Sequence, residues 1–192
     1  MKVITVSRFF PAYHPKVAQP TYFVEKIMRS PAFQQTNPYR SFTARLEDLN
    51  GERLIDTHGL DAFYELMDNF EMNLLWPGSE MKHHTIRAGK RFKTGEMASL
   101  RVWSGKPYHS PQIEFAQVRV KCFDFELKFD ESCIINGGAR PIFCVNGQEY
   151  PYGCNFSLEI ATNDGLELLD MKWWFQKPFT GQIICWNESI SY

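Results

Sequence analysis

No apolar run in the chain approaches the roughly 20 residues an α-helix needs to cross a bilayer, so the sequence predicts no membrane-spanning helix. Cys-x-x-Cys pairs are also absent. The five cysteines, Cys122, Cys133, Cys144, Cys154 and Cys185, are odd in number and widely spaced. Such spacing argues against a zinc ribbon and against a disulfide scaffold, and predicts buried free thiols in a reducing, cytoplasmic setting. Neither sign of charge is in excess, with 21 Lys and Arg against 22 Asp and Glu, and there is no internal repeat or low-complexity tail. No long apolar segment follows Met1-Lys2-Val3-Ile4-Thr5-Val6, which therefore reads as a strand and not as a secretion signal.

What is present is the composition of an ordinary globular protein, 44% hydrophobic and 22% charged over 192 residues. That length predicts one domain, residues 1–192, or one domain with a large insertion. The overall charge balance hides a local anomaly. Residues 82–121 hold nine basic residues and two acidic ones, a net of +7, while the rest of the chain sums to −8. The anomaly begins at Lys82-His83-His84-Thr85-Ile86-Arg87 and continues through Lys90, Arg91 and Lys93 to Lys106, with Phe92, Trp103 and Tyr108 interleaved. Cations alternating with aromatics suit a partner that carries phosphates or bases.

Periodicity divides the chain in two. Thr21 is placed to cap a helix over 22–29, and Leu60, Phe63, Met67, Phe70 and Leu74 recur at helical spacing over 60–75. Beyond Pro77-Gly78 the texture turns to strands at 83–87, 97–103, 112–120 and 121–129. In the last of these, Phe123, Phe125, Leu127 and Phe129 fall on one face and Asp124, Glu126 and Lys128 on the other. Asn146-Gly147 predicts a type I′ hairpin turn within 141–152. Residues 155–164 stay ambiguous: Phe156, Leu158 and Ile160 alternate like a strand, while Gly165 reads as the residue that ends a helix. Residues 167–175 read as helix and 181–186 as a final strand. The pattern predicts an α+β, mainly β fold, a small bent sheet or barrel with peripheral helices.

At Lys82-x-x-Thr85-x-Arg87 the chain resembles the ASCH family, a branch of the PUA-like barrels. The segment Arg91-Phe92-Lys93-Thr94-Gly95-Glu96 looks like that family's basic turn, and residues 161–175 look like its acidic segment before the last strand. Trp103-Ser104-Gly105-Lys106-Pro107-Tyr108 also looks like a segment of bacterial and phage-associated members. The resemblance implies a PUA-like barrel associated with RNA or a modified nucleoside, with residues 30–79 as a helical insertion. One branch is similar to amidohydrolases that deacetylate acetylcytidine with a Lys, a Thr and a carboxylate. Lys82 and Thr85 fall on two of those positions, and Asp164 stands where those enzymes have Glu.

Amide hydrolysis needs a nucleophile, a base and a donor for the leaving amine. Thr85 suits the first role. Lys82 suits the second if burial or neighbouring cations lower its pKa. Asp164 suits the third if 155–164 is a helix, since a helix C-terminus raises a carboxyl pKa. Residues three apart on a strand face opposite ways, so Lys82 joins Thr85 only if it precedes the strand, whereas Thr85 and Arg87 share a face. His83 and His84 are adjacent and face apart, a poor metal pair, so no metal or cofactor is expected.

The expected ligand-binding residues are Arg87, His84, Lys90, Arg91, Lys93, Lys106 and Trp103, with one Trp of the Trp173-Trp174-Phe175 run available for stacking on a base. Three readings stand: binding of RNA or a modified nucleoside, hydrolysis of an acylated cytidine by Lys82, Thr85 and Asp164, and a protein-interaction module built on 30–79.

Overall fold

A computed structural model describes residues 1–30, 33, 80–135 and 137–192. The expected helix over 60–75 and the insertion at 30–79 lie outside these residues, apart from positions 30 and 33. The described chain runs β1 (Lys2–Val6), α1 (Phe23–Met28), β2 (His84–Ala88), β3 (Met97–Trp103), β4 (Gln112–Arg119), β5 (Lys121–Ile135), β6 (Gly138–Val145), β7 (Gln148–Pro151), α2 (Asn155–Asn163), α3 (Leu168–Trp174) and β8 (Phe179–Cys185). This is the mainly β, α+β class that the sequence predicts. The strands form two sheets, ordered β1-β3-β4 and β2-β8-β5-β6-β7, and neither closes on itself.

The chain passes from one sheet to the other at Val120, between β4 and β5. There Gly95 donates its amide to the Val120 carbonyl and Val120 donates to the Glu96 carbonyl, at 2.7 and 2.9 Å. β5 then alternates as predicted. Phe123, Phe125 and Leu127 are buried, and the opposite face carries Glu126, Lys128 and Asp124 in surface ion pairs. Asn146 and Gly147 take φ of +49° and +85°, the double left-handed geometry of a type I′ turn, and join β6 to β7. Both sheets and the helices share one hydrophobic core, in which Leu100 of β3, Phe115 of β4, Phe125 of β5, Ile160 of α2 and Ile183 of β8 are fully enclosed. Each such side chain contributes roughly 2–3 kcal/mol through burial.

Residues 155–163 resolve as helix, and the reason lies at the ends. Cys154 is the N-cap, its Sγ accepting from the Ser157 amide, while Ser157 Oγ accepts from the Gly153 amide and donates to the Cys154 carbonyl. At the other end the Leu166 amide donates to the Ala161 carbonyl and the Gly165 amide to the Thr162 carbonyl. That is the Schellman pattern, with Gly165 at φ +72°. The period-2 pattern of Phe156, Leu158 and Ile160 is misleading, because Leu158 is exposed while Ile160 is buried.

Two further expectations are corrected. Tyr22, in a left-handed conformation, holds the cap position expected of Thr21, whose hydroxyl accepts from the Phe23 amide at 3.4 Å and donates to the Ser7 carbonyl at 2.5 Å. All five cysteines are unpaired, but only Cys144 and Cys185 are buried, the other three being partly exposed.

Candidate functional site

β1 and β2 each lie at the edge of their sheet, and a cavity of about 740 Å³ opens between them. It is lined by consecutive residues of both strands, Val3 to Val6 and Thr85 to Ala88, so it runs along the two edge strands. The Arg87 guanidinium spans the gap, donating from Nη2 to the Thr5 carbonyl at 2.5 Å.

Lys82 reaches this cavity because it precedes β2 and is pinned there. Its amide donates to the Lys26 carbonyl at 3.1 Å, where α1 ends, and its carbonyl accepts from the Trp186 indole at 3.0 Å. The following amide, of His83, donates to the Asn163 carbonyl at 2.7 Å. The Lys82 side chain is 1% exposed. Its Nζ lies 2.7 Å from Asp164 Oδ1, also donates to the Asp164 carbonyl, and sits 4.1 Å from the centre of the Phe23 ring.

The C-terminus of α2 supplies Asp164. The residue closes the helix just before Gly165 and is 3% exposed. Lys26 adds a second cation to this helix end, donating from Nζ to the Gly165 carbonyl at 2.8 Å. Both lysines thus complement the negative pole of the helix.

Burial governs the electrostatics. It lowers the Lys82 pKa to about 8, against the pull of Asp164 and with help from the charges of Arg87 and Lys26. Burial likewise raises Asp164, against the neighbouring Lys82 and Arg87 charges and the Ile86 amide. Each partner is pushed toward its neutral form, so proton exchange between Lys82 and a bound ligand lies within reach of neutral pH.

Thr85 and Arg87 line the same cavity, as their shared strand face predicts. Thr85 is 5% exposed, and its hydroxyl has no hydrogen-bond partner among the described residues. His84, expected to touch ligand, does not line the cavity. Its ring is fully buried against Tyr192, whose hydroxyl lies 2.9 Å from Nδ1, and Nε2 sits 4.0 Å from Asp164 Oδ1 with no hydrogen bond. Burial, then the charge of Lys82, holds the His84 pKa well below its ordinary value, so the ring is neutral.

The remaining cations separate in space. Arg91 lines the cavity, and Trp103 lines it beside Tyr108, with ring centres 5.3 Å apart. Lys90 turns to Asp124 at 2.7 Å. Lys93 and Lys106 are exposed and do not line the cavity, so the basic stripe of the sequence is not one cleft.

Several walls escaped the sequence reading. Arg8 and Phe10 come from the proline-punctuated loop after β1, and Phe23 comes from the first turn of α1. Phe175 lines the cavity beside Trp174, whose half-buried ring packs against Phe10, His14 and Phe23. Nothing periodic marks Arg8 or Phe10 in the sequence. Phe23 and Phe175 carried only a core-packing signal.

The floor is therefore a buried Lys–Asp pair, the Thr85 hydroxyl belongs to the same lining, the walls are aromatic, and the rim carries arginines. Such a cavity can hold a planar polar group against apolar rings and exchange protons with it. Comparison with known proteins finds no matching family model, no matching curated protein and no matching solved structure.

Proposed function

We propose that the cavity binds a base-bearing ligand, a modified nucleoside alone or within RNA, and that the chain is a PUA-like domain of the ASCH type. The observation that carries this reading is the Lys82–Asp164 pair, buried at 2.7 Å in a cavity walled by Phe23, Trp103 and Trp174. Aromatic faces hold a base by stacking, and a fixed donor and acceptor at the floor read its polar edge. The resemblance at Lys82-x-x-Thr85-x-Arg87 supports the same assignment.

Tryptophan fluorescence titration with N4-acetylcytidine, cytidine and single-stranded RNA tests the proposal, because Trp103 and Trp174 both line the cavity. Saturable quenching by at least one of them is expected, weakened in Lys82→Met. A flat response to all three would remove the reading.

A second reading is hydrolysis of an acylated cytidine, favoured by the lowered Lys82 pKa and the unpartnered Thr85 hydroxyl in one cavity. In it, the Thr85 oxygen bonds to the acyl carbon as Lys82 takes the hydroxyl proton. The carbon–nitrogen bond then breaks, with Asp164 protonating the leaving amine. Water cleaves the resulting ester, frees the acid and restores Thr85. Acetate release from N4-acetylcytidine, lost in Thr85→Ala, is the expected result. Turnover unchanged by that substitution would exclude the route.

A further inference from the structure

Among the described residues, Asp164 is the one acid that lines the cavity, and it is matched by Lys82. Arg87 and Arg91 line the same cavity with no carboxylate of their own there. Arg87 spends one Nη2 proton on the Thr5 carbonyl, and a guanidinium has five N–H donors. Arg91 is exposed, and its guanidinium has neither a hydrogen bond nor an ion pair among the described residues. Arg87, like Arg91, is exposed, so both guanidiniums are open to a ligand entering the cavity.

This placement is built into the sheet. Gln182 of β8 is 3% exposed, and its Oε1 accepts from the Arg91 amide at 2.7 Å and the Phe92 amide at 2.8 Å. Its Nε2 donates back to the Phe92 carbonyl at 3.0 Å. The loop after β2 is therefore tied to the strand beside it, and Arg91 starts from a fixed point. Lys90, one residue earlier, turns away to Asp124. Two like charges that line one cavity, neither of them in an ion pair among the described residues, suit an anion, and guanidinium groups match phosphate oxygens in a bidentate fork.

We propose that Arg87 and Arg91 form a phosphate subsite, so that the ligand of this cavity is a nucleotide, not a free nucleoside. The proposal rests on the base-binding reading above. Lys82 is excluded from this role because its ammonium is enclosed by Asp164 and Phe23. A terminal phosphate monoester and a phosphodiester within RNA share this chemistry.

Titration calorimetry on the full chain at about 50 mM salt, where phosphate contacts are least screened, separates the possibilities. The ligands are N4-acetylcytidine, its 5′-monophosphate and a dinucleotide bearing only a phosphodiester. The monophosphate is expected to bind tighter than the nucleoside by about tenfold or more. Arg91→Gln is expected to erase most of that gain, and Arg91→Lys to restore part of it. A gain shared by the dinucleotide assigns the subsite to RNA, and one confined to the monophosphate assigns it to free nucleotides. Equal affinity for nucleoside and monophosphate overturns the subsite alone, as does a gain that survives Arg91→Gln. Absence of binding by every ligand overturns the base-binding reading and the subsite together.

Discussion

A Cβ placed on Gly165 would lie 3.1 Å from Lys82 Cβ and 3.4 Å from its Cγ. The glycine that ends α2 therefore also makes room for the lysine that faces the helix end. Its φ of +72° adds a second demand, since a side chain in that region costs about 1 kcal/mol or more. Gly165→Ala is expected to lose about 1–3 kcal/mol of stability, read as a lowered urea midpoint with unchanged slope. An unchanged midpoint would mean that Lys82 is not held against the helix end.

The Lys82–Asp164 pair makes a sharper prediction. Each residue is almost wholly enclosed, so removing one partner leaves the other buried without its match. Lys82→Met and Asp164→Asn are each expected to cost about 3–5 kcal/mol. The double variant should lose clearly less than the sum, because no orphaned charge remains. Urea unfolding of the four proteins closes the cycle, and strict additivity would deny the coupling.

How far this site was legible depended on the kind of signal. The alternation of Phe123, Phe125 and Leu127 with Asp124, Glu126 and Lys128 reads directly, because one face of β5 is wet and the other is core. The Asn146-Gly147 turn reads directly because its backbone demands those residues. α2 was hidden by a chance period-2 pattern, and only its ends, Cys154 and Gly165, declare it. Charge counting misled for a different reason. It groups residues by sequence adjacency, and a loop sends adjacent residues apart: Arg91 to the cavity, Lys90 to Asp124, Lys93 to solvent. Arg8 and Phe10 arrive from a distant loop, which no local pattern reveals.

The pH dependence of stability should carry the signature of Lys82. Its folded pKa of about 8 lies below the ordinary 10.5, so between those values the unfolded chain binds more protons than the folded one. Stability from this group therefore rises with pH across that window and is lost as pH falls through about 8. Asp164 works the other way. Its raised folded pKa lends stability in acid that is lost as pH climbs from 3.8 through the folded value. Comparing wild type with Lys82→Met at about pH 7.5 and about pH 10 cancels the other lysines, tyrosines and thiols. The difference should move in favour of wild type by up to roughly 3 kcal/mol at the higher pH. A pH-independent difference would show that Lys82 titrates like a solvated lysine.

Gln182 offers the last test, because one side chain makes three hydrogen bonds to the loop that carries Arg91. With Oε1 accepting two amide protons and Nε2 donating to a carbonyl, every bond has the correct polarity. Gln182→Leu keeps the volume and abandons the Arg91 amide, the Phe92 amide and the Phe92 carbonyl. Leaving such groups unpaired at a buried site costs about 1–3 kcal/mol. Hydrogen exchange should accelerate at the Arg91 and Phe92 amides while the β5–β8 ladder, paired from Lys121 with Cys185 to Leu127 with Phe179, keeps its protection. Gln182→Glu retains the acceptor but replaces the donor to Phe92 with a second oxygen, so its exchange rates should fall between the two. Slow exchange at both amides in Gln182→Leu would show that the loop is held by something other than this glutamine.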